Sequence, residues 1–325
     1  MGKLHISSTP HIHQKGSSTR NIMLDVVIAL IPATVAGIII FGLKALLTVC
    51  ACVASAVLAE FIFNLCVHKK QTVGDLSAVV TGLLLALNLS INVPIWQCVI
   101  GSVFAIVVVK CFFGGIGKNI VNPAITARVF MLLTFGAVGA AVKIAPLFDL
   151  GFLGNAVPEI AAGATPLASL NQGAEIAANE APSLLQLLVG AHGGTIGETC
   201  GIALIIGFIY LVARKIIKWY VPASYVATVF ACYFLFGGFN ATFALQHVLA
   251  GGLLLGAIFM ATDYVTTPNT GKGRVVFCIG AGLLTFAIRQ FGMYPEGVSI
   301  AILTMNLLTP FISDFTKRKT LGGVK

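Results

Sequence analysis

Charged side chains are scarce in this 325-residue sequence: Asp, Glu, Lys and Arg make up 10% of it, whereas hydrophobic residues make up 58%. One core cannot bury so much apolar surface, so the composition excludes a soluble globule and predicts a polytopic membrane protein. The net charge is +9. The basic residues stand singly between apolar runs rather than on one basic face, so we expect no nucleic-acid partner.

The sequence also lacks any Cys-x-x-Cys pair, although it contains eight cysteines. An iron–sulfur cluster or zinc site of ordinary ligand spacing is therefore not predicted within this chain. Most of the cysteines lie in apolar runs, where cysteine acts as a small buried hydrophobe. A cluster or metal shared with another chain stays an open alternative.

Long apolar runs dominate the chain. A hydrocarbon core of ~30 Å is crossed by about 20 helical residues, and spans interrupted by Gly or Pro can be shorter. A polar head, residues 1–23, precedes the first run, which is a span rather than a cleaved signal peptide because many others follow it. The ten predicted spans are Leu24–Leu43, Ala45–Val67, Leu76–Leu89, Ile95–Phe113, Ala124–Val142, Ile196–Ile217, Val221–Gly237, Ala244–Ala261, Val275–Phe291 and Val298–Phe315.

The basic residues predict the orientation of these spans, because Lys and Arg accumulate in cytoplasmic loops of the plasma (inner) membrane. With the N-terminus inside, the inner segments carry 16 of the 20 basic residues. The outer segments carry Lys44, Lys143 and Arg289, and Arg128 lies within the fifth span. The head and the tail, residues 316–325, are therefore predicted to be cytoplasmic, and the polar segment 143–195 is predicted to lie outside.

An odd number of spans on each side of the segment 143–195 predicts two inverted five-helix repeats, residues 24–142 and 196–315. Weak self-similarity agrees, since the third span of each half contains a Gly-Leu-Leu-Leu run that begins at Gly82 or Gly252. Each run leads into a polar stretch that ends in proline. The predicted fold is thus an all-α polytopic membrane protein.

Polar residues cluster where these spans are interrupted. Asn119 and Asn122 stand in a Gly-rich segment before the fifth span, Arg128 lies within it, and Asp263 and Thr266 follow the eighth span. Backbone freed by Gly and Pro at membrane depth must be buried in protein or line a cavity, and ionisable groups at depth are usually functional. We therefore predict that these five residues bind a ligand or line an ion path.

The outer segment contains the tetrapeptide Gly163-Ala164-Thr165-Pro166. The hydroxyl of Thr165 follows two residues with almost no side chain, and Pro166 restricts the backbone just after it. Nothing bulky in the sequence blocks a modifying enzyme from that oxygen, although the tetrapeptide alone is equally typical of an ordinary turn.

Several longer motifs occur along essentially the whole chain. They are Ser7–His11, Gly74–Leu87, Asn122–Ala124 with Arg128, Gly256–Pro268 and Tyr294–Val298. In these motifs the sequence resembles the D subunit of the Rnf electron-transport complex. More distantly, it is similar to the B subunit of the sodium-pumping NADH:quinone oxidoreductase.

The resemblance implies that a flavin transferase joins FMN through its phosphate to the threonine of a Ser/Thr-Gly-Ala-Thr motif, which matches Gly163, Ala164 and Thr165. This chain departs from the motif at Ala162, and it has Glu159 where the family usually has Asp. The resemblance also implies a second, non-covalent flavin, riboflavin, deeper in the membrane. Asn119, Asn122, Asp263 and Thr266 are the candidates for that site or for an ion path.

The function implied is that of a redox subunit, not catalytic alone, in a complex that passes electrons between ferredoxin and NAD and moves ions. Its implied partners are the flavin-bearing G subunit, the A and E membrane subunits, the B and C iron–sulfur subunits, and membrane lipid. Two alternatives stay open. The electron acceptor could be a quinone, or the inverted repeats with broken spans could belong to a transporter or channel.

Overall fold

The computed structural model describes residues 18–136, 167, 170, 183–190, 192–292 and 296–317, and all regular structure within them is helical. The α-helices are α1 (Thr19–Phe41), α2 (Leu43–Cys66), α3 (Ser77–Leu87), α4 (Ile95–Val103), α5 (Pro123–Phe135), α6 (Leu184–Val189), α7 (Gly201–Ala213), α8 (Tyr220–Phe236), α9 (Ala241–Leu249), α10 (Leu253–Leu255), α11 (Gly271–Phe291) and α12 (Val298–Phe315). A 3₁₀ turn at Val73–Asp75 precedes α3, and π-helical turns at Phe104–Cys111 and Gly256–Met260 continue α4 and α10.

Short polar side chains begin several of these helices. The Ser18 hydroxyl accepts from the backbone N–H of Asn21 at the start of α1. Asn122 caps α5 in the same way, with Pro123 at the first helical position, where its missing N–H costs nothing. Between α1 and α2 the chain turns at Gly42, whose φ of 74° suits a residue without a Cβ.

The described residues are all-α and contain several apolar helices, as expected of a multi-pass membrane protein, and an apolar helical stretch overlaps each of the ten predicted spans. The helices α1, α2, α11 and α12 are long and apolar enough to cross a membrane by themselves. A fifth span is formed if α9 joins α10 and its π-helical continuation, which are bent by 68° at the break. The other five stretches are 10–17 residues long. The number of ten spans and the inverted repeat therefore stay predictions.

The helix of the sixth span begins later in the structure than the predicted start at Ile196. Residues 192–200 are not helical, and α7 starts only at Gly201. The backbone N–H of Ile196 donates to Leu89 O (3.1 Å), and that of Gly197 donates to Leu87 O (2.8 Å). A Cβ at Gly197 would lie 2.5 Å from the Leu87 Cβ, so the close approach requires glycine. The N–H groups of this buried loop satisfy carbonyl groups at the end of α3 that have no partner within the helix. Backbone groups that are out of reach of water need such partners.

The two halves of the chain interlock rather than stand apart. Helix α1 packs along α7, and α5 packs along α12. Near the start of α1, Asp25 accepts hydrogen bonds from Tyr210 (2.8 Å) and Arg214 (3.2 Å) of α7. A Cβ at Gly207 would lie 2.4 Å from the Ala29 backbone oxygen, so these two helices touch backbone to backbone. The buried Asp25 carboxylate of the first half is therefore hydrogen-bonded by side chains of the second half.

Candidate functional site

A cleft opens between the two halves. Three of the predicted site residues, Asn119, Asn122 and Asp263, line it. Its walls are mostly apolar, with a few polar groups converging on the space, which is the usual character of a cofactor pocket. The other residues of the lining that matter here are Met23, Val26, Ser77, Val80, Thr81, Leu84, Lys110, Ile216, Phe259 and Tyr264.

Asn122 and Thr266 belong to one hydrogen-bonded unit behind the cleft. The Asn122 side chain caps α5 by accepting from the backbone N–H groups of Ala124 (3.1 Å) and Ile125 (3.4 Å). The side-chain amide of Asn306 is fully buried. In the orientation that satisfies both of its ends, its oxygen accepts from the Asn122 backbone N–H (3.2 Å) and its nitrogen donates to the Thr266 backbone oxygen (3.1 Å). Asn306 therefore ties the start of α5 to the segment that follows Met260, one element from each half.

Asn119 presents an unsatisfied hydrogen-bond acceptor in the cleft. Its side-chain oxygen, Oδ1, is buried and has no hydrogen-bond partner among the described residues. A buried acceptor without a donor is costly, about 1–3 kcal/mol, and is expected to be satisfied in the working protein. A ligand with an N–H group, such as the uracil-like edge of a flavin ring, would supply that donor. The lining thus fits a flavin.

Asp263 is one of the polar residues that line the cleft. Its carboxylate accepts from the backbone N–H of Val265 (3.3 Å) and from the Thr266 hydroxyl (3.1 Å), which closes a tight turn after the π-helical segment. Burial raises the pKa of the Asp263 carboxyl above its ordinary value, against these two hydrogen bonds, which lower it. Thr266 is 1% exposed and supports Asp263 without lining the cleft itself.

Lys110 is a charged residue that the sequence does not single out as part of a site. The count of basic residues uses it only to orient the spans, whereas the structure shows that it is 2% exposed and lines the cleft. Its ammonium donates to Glu60 Oε1 (2.8 Å) and to the Ser77 hydroxyl (2.6 Å). The signal that could have found it is an acidic residue within the second apolar run and a basic one within the fourth, since charges at membrane depth are normally paired.

Arg128 forms a second polar cluster, apart from the cleft. Its guanidinium donates to Asn88 Oδ1 (2.8 Å) and to the Ser299 hydroxyl (3.0 Å), and it is ion-paired with Glu296. The buried Glu198 extends this cluster: a Cβ built at Gly252 would lie 3.4 Å from Glu198 Oε2 and 3.6 Å from Arg128 Nη1. Arg128 is buried and links the two halves, and it does not line the cleft. Its predicted part in a ligand site or ion path stays a prediction.

Thr165, Gly163 and Ala164 lie outside the described residues, as do Glu159 and Ala162. Two nearby positions are described: Leu167 and Leu170 are each 1% exposed and pack with Leu187 and Ala250. Ala250 stands at the break between α9 and α10. The sequence just after the predicted attachment residue is therefore anchored on the broken span.

Arg289 satisfies the backbone at that break. Its guanidinium donates to the carbonyl oxygens of His247 (2.7 Å) and Ala250 (3.2 Å), the last turn of α9. A cation at a helix C-terminus is favoured by the free carbonyls and the helix dipole. A Cβ at Gly251 would lie 3.1 Å from Arg289 Nη2 and 3.6 Å from Leu167 Cδ2, so a buried positive charge lies next to the anchored segment.

The sequence profile of the NQR2, RnfD, RnfE family matches residues 5–322. The chain belongs to this family. It is 44% identical over 324 residues to the D subunit of the Na⁺-translocating ferredoxin:NAD⁺ oxidoreductase complex of Acetobacterium woodii, covering 99% of this chain and 96% of that protein. It is 37% identical over 320 residues to the D subunit of the proton-translocating ferredoxin:NAD⁺ oxidoreductase complex of Clostridium ljungdahlii, covering 98% and 96%. It is 36% identical to the D subunit of an ion-translocating oxidoreductase complex of Stutzerimonas stutzeri, covering 94% and 93%.

Membership of the NQR2, RnfD, RnfE family confirms the resemblance that the motifs indicate. Of the predicted residues, the structure brings Asn119, Asn122 and Asp263 to one cleft, with Thr266 behind it, and it separates Arg128 from them. The described residues contain no group of three or more His, Cys, Asp or Glu side chains able to hold a metal ion. The cysteines among them are all free.

Proposed function

We propose that this chain is the D-type membrane subunit of an ion-translocating ferredoxin:NAD oxidoreductase complex. It carries two flavins, FMN bound covalently at Thr165 and riboflavin bound in the cleft, and relays electrons between them across the membrane. The chemistry of electron transfer belongs to the flavins, and the chain holds them in line and tunes their surroundings. The observation that carries the proposal is the cleft in which Asn119, Asn122 and Asp263 converge.

Riboflavin fits the cleft for chemical reasons. The apolar walls suit the dimethylbenzene part of the ring, and the unpartnered Asn119 Oδ1 suits its N–H group. Riboflavin has no phosphate and needs no anion site at membrane depth. Its ribityl hydroxyls can bind polar groups of the lining such as Asp263.

Covalent FMN at Thr165 would lie near the break between α9 and α10, away from the riboflavin cleft. Two residues of chain span at most about 7 Å, so an FMN joined to Thr165 would begin close to Leu167 and the break at Ala250. Arg289 supplies a buried positive charge there, which favours an anionic phosphate or an electron-rich ring. A phosphoester also keeps a soluble cofactor from leaving an outward-facing surface.

The proposed topology is ten spans in two inverted repeats, with both termini cytoplasmic and the Thr165 segment outside. A correspondence between the two halves supports this topology. Lys110, in the fourth span of the first half, is a buried cation bonded to the third span of that half. Arg289, in the fourth span of the second half, is likewise buried and bonded to the third span of its half. The inner cleft and the outer attachment site would then lie on opposite sides of the membrane. Electrons entering one flavin could leave by the other.

The other subunits are proposed as partners according to these sides. The flavin-bearing G subunit would meet the outer face, and the B and C iron–sulfur subunits the inner face, with the A and E subunits alongside in the membrane. A flavin transferase modifies Thr165 before or during assembly. The apolar side chains exposed on α1, α2 and α11 are free to meet lipid or the membrane subunits.

Acid precipitation of the purified chain tests the proposal. Riboflavin is expected in the supernatant, and FMN is expected to remain with the precipitated protein. A protein without either flavin, from cells that possess the transferase, would contradict the proposal and favour a transporter or channel. Failure of a quinone to oxidise the reduced complex would exclude the quinone-reducing alternative.

Replacing Asn119 with alanine should release the cleft flavin selectively. The substitution removes the one buried acceptor in the cleft that lacks a donor among the described residues, so we expect about a tenfold or greater loss of non-covalent riboflavin affinity, with covalent FMN unchanged. Asn92→Ala, at an exposed asparagine, is the matched control. Equal riboflavin retention in the two variants would place that flavin elsewhere.

A further inference from the structure

A continuous chain of hydrogen bonds joins the cleft to the surface at the start of α3. The Lys110 ammonium donates to the Ser77 hydroxyl (2.6 Å), and the Ser77 hydroxyl donates to Asp75 Oδ1 (2.5 Å). Lys110 and Ser77 both line the cleft, whereas Asp75, in the 3₁₀ turn, is partly exposed. The three groups thus run from a solvent-accessible carboxylate to an ammonium at the cleft wall.

Glu60 binds the inner end of this chain of hydrogen bonds. Its Oε1 accepts from Lys110 (2.8 Å) and from the Thr72 hydroxyl (2.6 Å), and its Oε2 is buried without a partner among the described residues. Among the described residues, these bonds take two of the three ammonium protons of Lys110, which also lines the cleft.

We propose that Asp75, Ser77 and Lys110 form a proton path from the inner surface to the cleft, and that Lys110 delivers the proton when a flavin bound there is reduced. This inference rests on the proposed function. A flavin ring that gains electrons in an apolar site becomes a buried anion unless a proton follows, and burying an uncompensated charge is costly. The path supplies that proton without opening the cleft to water.

The transfer balances as a relay of single protons. An N–H bond of Lys110 breaks as its proton passes to the ring nitrogen, and the electrons come from a one-electron iron–sulfur donor of the complex. The Asp75 carboxylate then takes a proton from hydronium in the solvent and passes it to the Ser77 oxygen, while the Ser77 hydroxyl gives its own proton to the neutral Lys110 nitrogen. At rest Ser77 donates toward Asp75, so its hydroxyl must turn once per proton, as a serine hydroxyl can.

Other charged or titratable groups lie around this path. Glu60, on α2, is the direct partner of Lys110. Cys111 is its neighbour in sequence and shares the electrostatic environment of Glu60 and Lys69. Asp263 and Tyr264, from the other half, line the same cleft. In a purely structural role, Lys110 and Glu60 would only clamp α2 to the continuation of α4, and that clamp does not involve Asp75.

Ser77→Ala separates the two roles, because it cuts the path between Asp75 and Lys110 and leaves the Lys110–Glu60 ion pair intact. Ser102→Ala is the matched control, since Ser102 is 0% exposed and its hydroxyl has no hydrogen-bond partner among the described residues. Lys110→Met is less clean, because it would strand the Glu60 charge. Asp75→Asn provides an independent cut at the outer end of the path.

The measurement is proton uptake by the purified full-length chain, with Thr165→Ala added so that any bound flavin is non-covalent. The chain is photoreduced in lightly buffered detergent solution, and a pH-indicator dye reports proton uptake beside flavin absorbance. We expect Ser77→Ala and Asp75→Asn to slow uptake by at least about tenfold, given the usual contribution of a positioned proton donor, with Ser102→Ala unchanged. Riboflavin content is measured in each variant, and the rate of proton uptake is expressed per bound riboflavin.

Two outcomes would overturn the inference in distinguishable ways. If Ser77→Ala binds riboflavin and takes up protons as fast as Ser102→Ala, the path is wrong and the proposed function stands. If the chain with Thr165→Ala alone holds no riboflavin, the cleft site and the path that serves it are both wrong.

Discussion

A Thr165→Ala variant is expected to lose all covalently bound flavin. The substitution removes the only oxygen to which the phosphoester is proposed to be attached, so the loss should be complete rather than graded. The measurement is flavin fluorescence of the protein band after denaturing electrophoresis, with equal protein loading. Expression in cells that possess the flavin transferase is required, because the chain cannot form the bond alone.

The control for this variant is Thr304→Ala, which removes an exposed threonine hydroxyl on α12 and should leave the band bright. Restoring the motif with Ala162→Ser tests whether the departure at that position limits flavin transfer, and a brighter band is expected if it does. A band that stays bright in Thr165→Ala would move the attachment to another residue. A dark band in the unaltered chain would remove covalent FMN from the proposal.

Arg128→Met is expected to destabilise the protein strongly. It leaves the Glu296 carboxylate and the Asn88 side-chain oxygen buried without their donor, and it cuts a link between α5 and α12. Removing one partner of a buried ion pair costs about 3–5 kcal/mol, because the other charge stays buried and uncompensated. Thermal unfolding of the detergent-solubilised protein should show a correspondingly lowered midpoint.

A double-mutant cycle identifies the cause of that loss. In the Arg128→Met background, Glu296→Gln should cost less than it does alone, since the stranded charge is removed. Lys317→Met, which breaks the exposed pair with Asp314, is the control and should leave the midpoint unchanged. Additive effects of Arg128→Met and Glu296→Gln would contradict the pairing seen in the structure.

The predicted site residues show how far sequence reasoning reaches. Interruptions in apolar runs predict Asn119, Asn122 and Asp263, and the structure brings them to one cleft. The interruptions are informative because freed backbone at membrane depth has to be buried or line a cavity. Lys110 escapes such reasoning because a count of basic residues gives a side of the membrane and no side-chain partner. Its burial depends on Glu60, which lies 50 residues earlier.

The start of the sixth span illustrates the same limit. The hydropathy of residues 196–217 is that of a helix, yet α7 begins only at Gly201. The preceding loop is non-helical because its N–H groups bond to the end of α3, which is more than 100 residues away in the sequence. Periodicity and composition carry no information about such a partner.

The sequence by itself determined the class of protein and its family, because apolar composition and long ordered motifs are properties of the chain that need no contacts. It also indicated Thr165 as the proposed attachment residue, because that assignment rests only on a sequence motif. Only the tertiary structure decided which polar residues act together: Asn119, Asn122 and Asp263 at one cleft, Arg128 in a separate cross-link, and Lys110 at the cleft wall. The physical reason is that a buried polar group is satisfied by whatever lies beside it in space, and those partners come from distant helices.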